Sequence, residues 1–262
     1  MYFIYILGPA GSGKSYLTNA LKDWLEQKGL DTITINLDPA VSWLPYTPDI
    51  DIRDYITVEE VMRRYNLGPN GALIAAIDLS IEYIEKLIEE VEEYKPNYVI
   101  VDTPGQMEVF AFRASGPMIM NSLKRSNKAV SLFLVESIQV VKPSIFLSIL
   151  ILSMGALFAH RLPQILVVTK SDLMSKQSLV KIQHWIEEPL SILEDVRREN
   201  SMMIYLYLDI MSSLEDLIHK YVQDVVLTSS VTGEGIDDLY AVIQRILAGG
   251  EDFYTEEYSE VL

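Results

Sequence analysis

The sequence contains no cysteine, and this absence removes several classes of chemistry. Disulfide frameworks, thiolate zinc sites and cysteine nucleophiles are all excluded. The three histidines, His160, His184 and His219, stand alone and lack the spacing of a metal site. A chain without cysteine fits a reducing compartment, so we expect a cytoplasmic protein.

Basic residues are scarce relative to acidic ones. The chain has 21 lysines and arginines against 37 aspartates and glutamates, which gives a net charge of −16. A surface of this sign repels phosphate backbones, so we expect no direct binding of nucleic acid. A small anion can still bind where backbone N–H groups converge.

Targeting and membrane signals are also sparse. The first ten residues are apolar but lack a basic region and a cleavage pattern, so we expect no signal peptide. The uncharged run 143–159, PSIFLSILILSMGALFA, is at the lower limit for a membrane span and begins with proline. We interpret it as a buried or interface helix and expect no membrane association.

Apolar, β-branched segments alternate with amphipathic helical segments along the chain. The predicted strands are 2–7, 31–37, 97–102, 129–136, 163–169 and 224–230, and the predicted first and last helices are 15–29 and 235–249. This alternation predicts an α/β fold with a mostly parallel sheet and helices on both faces. We expect one domain over 1–250, with helical insertions at about 38–96 and 173–223, and an acidic tail over 251–262.

The segment GPAGSGKS, residues 8–15, has the form G-x-x-x-x-G-K-S, follows a predicted strand and opens a helix. This context is typical of the phosphate-binding loop of a P-loop NTPase. Lys14 would reach the β- and γ-phosphates, and the Ser15 hydroxyl would bind Mg²⁺. The residues expected to bind the nucleotide here are Gly8, Gly11, Ser12, Gly13, Lys14, Ser15 and Tyr16.

The segment VIVDTPGQ, residues 99–106, ends a predicted strand in Asp102. A carboxylate at this place holds Mg²⁺ directly or through water, and the flexible backbone of Gly105 can sense the γ-phosphate. Asp102 and Ser15 are therefore the primary candidates for the metal site.

The segment ILVVTKSD, residues 165–172, favours guanine as the base. Guanine presents N1–H and N2–H₂ as adjacent donors, and the single carboxylate of Asp172 accepts both. The stem of Lys170 would cover the ring, and Thr169 stands where this motif usually has asparagine. Within LTSSVTGEGIDDL, residues 227–239, the backbone of Ser229, Ser230 or Val231 would donate an N–H to guanine O6. We therefore predict GTP or GDP, with Mg²⁺, as the ligand.

Together these motifs resemble the GPN-loop GTPases. The resemblance rests on GPAGSGKS, NLDPA, LGPNG, DTPGQ, TKSD and TSSVTGEG in that order, and it spans nearly the whole chain. It implies a homodimer in which the turn Gly68-Pro69-Asn70 reaches into the partner's nucleotide pocket, with Asn70 near the γ-phosphate. The run 143–159 and the helices of the first insertion are our candidates for the dimer surface.

Position 9 of the phosphate loop adds an argument for Asn70. Related dimeric ATPases carry an extra lysine there that acts across the dimer, whereas this chain has Pro9. Some other group in trans, or none, would take its place, and the Asn70 amide can donate to a phosphate oxygen or orient water without adding charge.

Several residues are candidates for the attacking water. Asp38 is placed to orient or deprotonate it or to reach the magnesium shell, although an aspartate before Pro39 is also a common cap. Gln106 is a second water-positioning candidate. Four arginines are open candidates for a finger: Arg53, Arg63, Arg64 and Arg113.

Two other functions remain open at this point. The phosphate loop would equally suit a small-molecule kinase, although such an enzyme has no need of TKSD or SSV. The chain would also suit a GTP-sensing scaffold whose turnover is incidental. In either GTP-binding case the effector protein is unidentified.

Overall fold

The computed structural model describes residues 1–188, 191–199 and 225–249. Within them lies one seven-stranded sheet in the order β3-β2-β4-β1-β5-β6-β7, and all the pairings are parallel. The strands are β1 Tyr2–Leu7, β2 Thr32–Asn36, β3 Ile50–Asp51, β4 Tyr98–Asp102, β5 Lys128–Glu136, β6 Gln164–Thr169 and β7 Val225–Leu227. The predicted α/β P-loop NTPase architecture is confirmed.

Eleven α-helices occur within the described residues. They are α1 Lys14–Gln27, α2 Val58–Tyr65, α3 Pro69–Leu79, α4 Ile84–Tyr94, α5 Met107–Phe110, α6 Ser115–Lys124, α7 Ser137–Val140, α8 Pro143–His160, α9 Lys176–Glu187, α10 Ser191–Arg198 and α11 Ile236–Ala248. Short 3₁₀ turns cover Ile52–Asp54, Ser80–Tyr83 and Ser171–Leu173.

The sheet separates two hydrophobic cores, and β1 contributes to both. Phe3 and Tyr5 face the core that holds α2 to α10, whereas Ile4 and Ile6 face the core formed with α1 and α11. Successive side chains of a strand point to opposite faces, so a strand covered on both faces is apolar throughout. This explains why YFIYIL shows no polar alternation.

The structure differs from the sequence prediction in the first insertion. The two-residue edge strand β3 lies in the opening segment of the insertion, DPAVSWLPYTPDIDIRD (38–54), which the sequence predicts to be a loop, and it pairs Ile50 with Ile35 of β2. The GPN segment is also more than a bend between helices, because Gly68 is the N-cap of α3 and Pro69 is its first residue. Proline suits that position because its missing N–H has no intrahelical partner there.

The second insertion is described only in part. α9 and α10 bear out its helical character up to Arg198. Pro189, His219 and the remainder of the insertion to residue 223 lie outside the described residues, as does the tail 251–262.

The apolar run 143–159 forms most of α8. This helix packs into the core through the buried side chains of Phe146, Leu147 and Leu150. Among the described residues, α8 is long and apolar enough to cross a membrane, but 44% of it is buried inside the fold. Length and composition are weak evidence of a span, because core helices share them. Phe158 on the same helix is 62% exposed.

His160, the last residue of α8, is held neutral in the core. Its Nδ1 accepts a hydrogen bond from the Leu162 N–H at 3.4 Å, and its Nε2 lies 3.1 Å from Gln164 Oε1. The Gln164 amide nitrogen donates to Ser153 O, which orients its oxygen towards the ring. Burial lowers the pKa of His160 to about 4.

We predict that His160 makes the fold sensitive to mild acid. The unfolded chain binds a proton with a pKa of about 6.5 and the folded chain does not, so the free energy of unfolding falls as the pH drops from about 6.5 to about 4. The loss reaches at most about 3 kcal/mol. Urea unfolding between pH 7 and 4 should show a steeper decline for wild type than for His160→Gln. Equal pH dependence of the unfolding free energy in wild type and His160→Gln would contradict the prediction. The control is His184→Gln, which changes an exposed histidine.

Candidate functional site

The phosphate loop adopts backbone angles that only glycine tolerates well. Gly8, Gly11 and Gly13 have φ values of 147°, 81° and 91°. A Cβ on Gly8 would also lie 2.6 Å from Leu134 O and 2.8 Å from Ser12 Oγ. The loop therefore bends tightly over the end of β5 and leads into α1, whose first N–H groups point to where an anion binds.

Lys14 brings a buried positive charge to this loop. Its Nζ donates to Gly8 O at 2.9 Å and to Pro9 O at 3.1 Å. Burial lowers the pKa of Lys14, and the carboxylates of Asp102 and Asp38 act in the opposite direction. The site thus has a cation with acidic neighbours inside a strongly acidic protein.

Asp102 ends β4 directly beside the phosphate loop, since it lies opposite Ile6 in the parallel register. Its side chain is buried, and its Oδ2 accepts a hydrogen bond from the Tyr46 hydroxyl at 3.1 Å. Its Oδ1 has no hydrogen-bond partner among the described residues. Burial raises the pKa of Asp102 to about 6, while Ser15, Lys14 and Tyr46 lower it. A buried carboxylate oxygen near a serine hydroxyl fits a hard cation such as Mg²⁺.

These groups open into a cavity of about 460 Å³ at the carboxyl edge of the sheet. Its lining includes the predicted site residues Gly11, Gly13, Lys14, Ser15, Tyr16, Asp38, Asp102, Gln106 and Lys170. Four separate loops, each of which the sequence motifs had indicated, therefore contribute residues to the wall of one cavity. Ligands of parallel α/β sheets bind at this edge.

The two candidates for positioning water differ in their surroundings. Both oxygens of the Asp38 carboxylate have backbone donors, Ala40 N–H at 2.9 Å and Gly105 N–H at 3.4 Å. The buried Oε1 of Gln106 has no partner among the described residues. Asp38 therefore joins two loops, and Gln106 has an uncommitted acceptor at the cavity.

Thr169 ties the base-recognition loop to the phosphate loop. Its buried Oγ1 lies 2.7 Å from Ser12 O and 3.1 Å from Val135 O. Lys170 follows in the left-handed conformation, and its ammonium pairs with Glu136 at 2.6 Å. Because this pair fixes the end of the side chain, the Lys170 stem forms part of the cavity wall.

Asp172 and Ser229 come together from two loops. The Ser229 hydroxyl donates to Asp172 Oδ1 at 2.6 Å, which fixes the carboxylate expected to read guanine. The Ser229 N–H donates to Glu234 O at 2.9 Å and closes its own loop, so it is already occupied in this structure. Ser230 and Val231 are left as candidate donors to guanine O6, and Val231 is exposed.

The GPN turn does not join this cavity within one chain. Gly68, Pro69 and Asn70 are all exposed at the start of α3 and none lines the cavity. A Cβ added to Gly68 would meet no atom within 4 Å.

Two of the four candidate arginines are held in ion pairs. Arg53 pairs with Asp51 and also donates to Val41 O at 3.0 Å, and Arg113 pairs with Asp78 at 2.8 Å. Arg63 and Arg64 are exposed and line a second cavity beside α2.

Comparisons with known proteins agree with this geometry. The sequence model of the family described as "Conserved hypothetical ATP binding protein" matches residues 6–249. GPN-loop GTPase 1 of Dictyostelium discoideum is 33% identical over 253 residues, which cover 96% of this chain and 62% of the relative. GPN-loop GTPase 1 of Schizosaccharomyces pombe is 32% identical over 261 residues, which cover 97% of this chain and 71% of the relative. The chain belongs to the GPN-loop GTPase family.

Structural comparison supports the same assignment. A GTPase from Pyrococcus abyssi, crystallised in its apo form, superposes with a TM-score of 0.82 at 27% identity, over 94% of this chain and 97% of that one. The resemblance inferred from the motifs is thereby confirmed. The chain spans 62% of the length of the Dictyostelium relative, so that relative contains sequence with no counterpart here.

Three side chains of this site were missed from the sequence. Tyr46 contacts Asp102 from 56 positions away, and the buried Thr103 hydroxyl donates to Ile6 O at 2.7 Å. Glu136 binds Lys170. Only Thr103 carried a signal, because it lies within DTPGQ; the other two contacts depend on the fold.

We predict that the Thr169 hydroxyl holds the phosphate loop in place. Thr169→Val keeps the shape but loses the contacts with Ser12 O and Val135 O, so GDP affinity should fall severalfold and stability by about 1 kcal/mol. Thr169→Ser should restore both. Calorimetry with GDP and thermal unfolding measure the two effects. Wild-type affinity in Thr169→Val would show that the contacts do not support the loop.

Proposed function

We propose that this chain is a Mg²⁺-dependent homodimeric switch that binds and hydrolyses GTP. The observation that carries this is the convergence, at one edge of the sheet, of a glycine-rich phosphate loop, a buried carboxylate and a second carboxylate fixed for a base. The cytoplasmic location and a protein effector remain predictions. The family description names ATP, whereas the relatives are named GTPases, so the base needs a direct test.

The positions of Lys14, Ser15 and Asp102 indicate where the phosphates and Mg²⁺ would bind. The loop N–H groups and the Lys14 ammonium would hold the phosphates, and Ser15 with the buried, unpartnered Oδ1 of Asp102 would hold Mg²⁺. Bound Mg²⁺ would neutralise charge on the phosphate oxygens. Burial disfavours the charged forms of both Lys14 and Asp102. A bound anion would therefore stabilise the Lys14 ammonium, and a bound cation would stabilise the Asp102 carboxylate.

Gln106 is the better placed of the two candidates to orient the attacking water. Its Oε1 lacks a partner among the described residues, while Asp38 has backbone donors on both oxygens. In this proposal Asp38 holds the first loop against Gly105, and Gln106 turns its buried amide oxygen towards the cavity to accept a hydrogen bond from water. Asp38 would then affect hydrolysis chiefly through loop geometry or the magnesium shell.

The dimer supplies a place for the GPN turn. Asn70 is exposed and lies outside the cavity of its own chain. With Pro9 where the related dimeric ATPases have a lysine, a group acting in trans would have to come from elsewhere in the partner. We infer that Asn70 acts at the partner's γ-phosphate, where its amide adds a hydrogen bond without a charge.

We predict that Asp172 determines the base. Asparagine in its place would donate to the C2 carbonyl of xanthine and accept from N1–H, but it would repel the amino group of guanine. Asp172→Asn should therefore bind GDP at least about 100-fold more weakly, the loss of about 3 kcal/mol expected for two charge-assisted hydrogen bonds. It should prefer XDP. Competition with a fluorescent nucleotide measures both, and exposed Asp54→Asn is the control. Equal wild-type affinity for ATP and GTP would refute the assignment.

We also predict complementation between two inactive variants. Lys14→Ala should lose nucleotide binding but retain Asn70, and Asn70→Ala should bind GTP but lack the group in trans. Each alone should be nearly inactive, and mixing them should restore GTP hydrolysis in the mixed dimers.

The assay measures phosphate release, with ATP as a second substrate and exposed Asn121→Ala as the control. If mixed dimers form and stay inactive while Asn70→Ala binds GTP, Asn70 acts within its own subunit or supports the fold. Full activity of Asn70→Ala alone would leave the turn without a catalytic role.

A further inference from the structure

Tyr46 makes a direct contact with the proposed metal-binding carboxylate. It lies half-buried in the loop between β2 and β3, and its hydroxyl reaches Asp102 Oδ2 at 3.1 Å. The phenolic hydroxyl is the donor and the carboxylate oxygen is the acceptor.

The two oxygens of Asp102 have different surroundings. Oδ2 is bound by Tyr46, whereas Oδ1 is buried without a partner among the described residues. A carboxylate rotates about one bond, so fixing one oxygen fixes the direction of the other. Outer hydrogen bonds of this kind orient metal ligands and tune their affinity.

The loop that carries Tyr46 is itself anchored on both sides. Before Tyr46, the guanidinium of Arg53 holds Val41 O at 3.0 Å. After it, Asp49 accepts the Thr34 N–H and the Lys22 ammonium, both at 2.7 Å.

Between these anchors the chain forms part of the cavity wall. Trp43, Leu44 and Pro45 all line the cavity, and the next residue is Tyr46. The position of the Tyr46 hydroxyl therefore depends on how this wall is packed. The wall and the Asp102 carboxylate are thus joined through the Tyr46 hydrogen bond.

We propose that Tyr46 is a positioning residue for the magnesium ion. Its hydroxyl fixes Asp102 so that Oδ1 faces Ser15 and the metal, and it thereby couples the order of the wall segment 41–49 to metal binding. This inference rests on the proposed binding of a guanine nucleotide with Mg²⁺.

The test compares Tyr46→Phe with Tyr55→Phe. The control removes the same hydroxyl from another tyrosine–carboxylate pair, Tyr55 with Glu90, outside the cavity. Each protein is first saturated with a fluorescent GDP. Mg²⁺ is then titrated in, and the Mg²⁺ affinity is obtained from the rate of nucleotide dissociation at each metal concentration. We expect about tenfold weaker Mg²⁺ binding for Tyr46→Phe alone. GDP affinity in EDTA should equal that of wild type.

Two further measurements separate positioning from simple damage to the fold. In an Asp102→Asn background, Tyr46→Phe should have no additional effect on Mg²⁺ affinity, because its action passes through the carboxylate. Hydrogen exchange over 41–49 should slow when Mg²⁺ joins the GDP complex of wild type, and this protection should shrink in Tyr46→Phe.

Each outcome bears on a different claim. If wild type binds GDP with a clear Mg²⁺ effect and Tyr46→Phe matches it, the inference is wrong and the proposed function stands. Weaker GDP binding in EDTA by Tyr46→Phe would overturn the inference by showing general damage to the site. Failure of wild type to bind GDP would overturn the proposed function itself.

Discussion

The site depends on the position of β1 between β4 and β5. The parallel register sets Ile6 opposite both Asp102 and Leu132, so β1 and β4 leave the sheet at nearly the same level, while β5 continues beyond them to Glu136. The phosphate loop then crosses the end of β5 so closely that Gly8 has no room for a side chain against Leu134. A slip of one residue would turn the side chains of β1 to the opposite cores and move this loop away from Asp102.

Charge explains how an acidic protein with a net charge of −16 can hold an anion. The attraction is local, since it comes from the loop N–H groups and from one buried ammonium, Lys14. Burial shifts the pKa of Lys14 down and that of Asp102 up, so both charges are held at a cost that their mutual attraction only partly offsets. A phosphate and a divalent cation bound together would complete the hydrogen bonding and charge balance of both groups.

The sequence predicted the parts of the site that local physics determines. Buried strands appeared as apolar runs, and the phosphate loop, Asp102 and Asp172 lay at the strand ends where their motifs require them. It did not predict β3, because a two-residue strand exists only through its pairing with β2. Pro69 and Asn70 suggest a turn and a helix start equally well, and only packing decides between them. The bond from Tyr46 to Asp102 crosses 56 positions and leaves no local pattern.

The chain between β2 and β4 divides into two parts that face different surroundings. Its first part, from Asp38 to Asp51, is bound to its own site through Asp102, Gly105 and the Arg53 anchor. Its second part carries the GPN turn, with all three residues exposed at the start of α3. One insertion therefore shapes the cavity of its own chain and presents an amide outward. A molecule that contacts the turn would therefore touch the same continuous segment that forms this cavity wall.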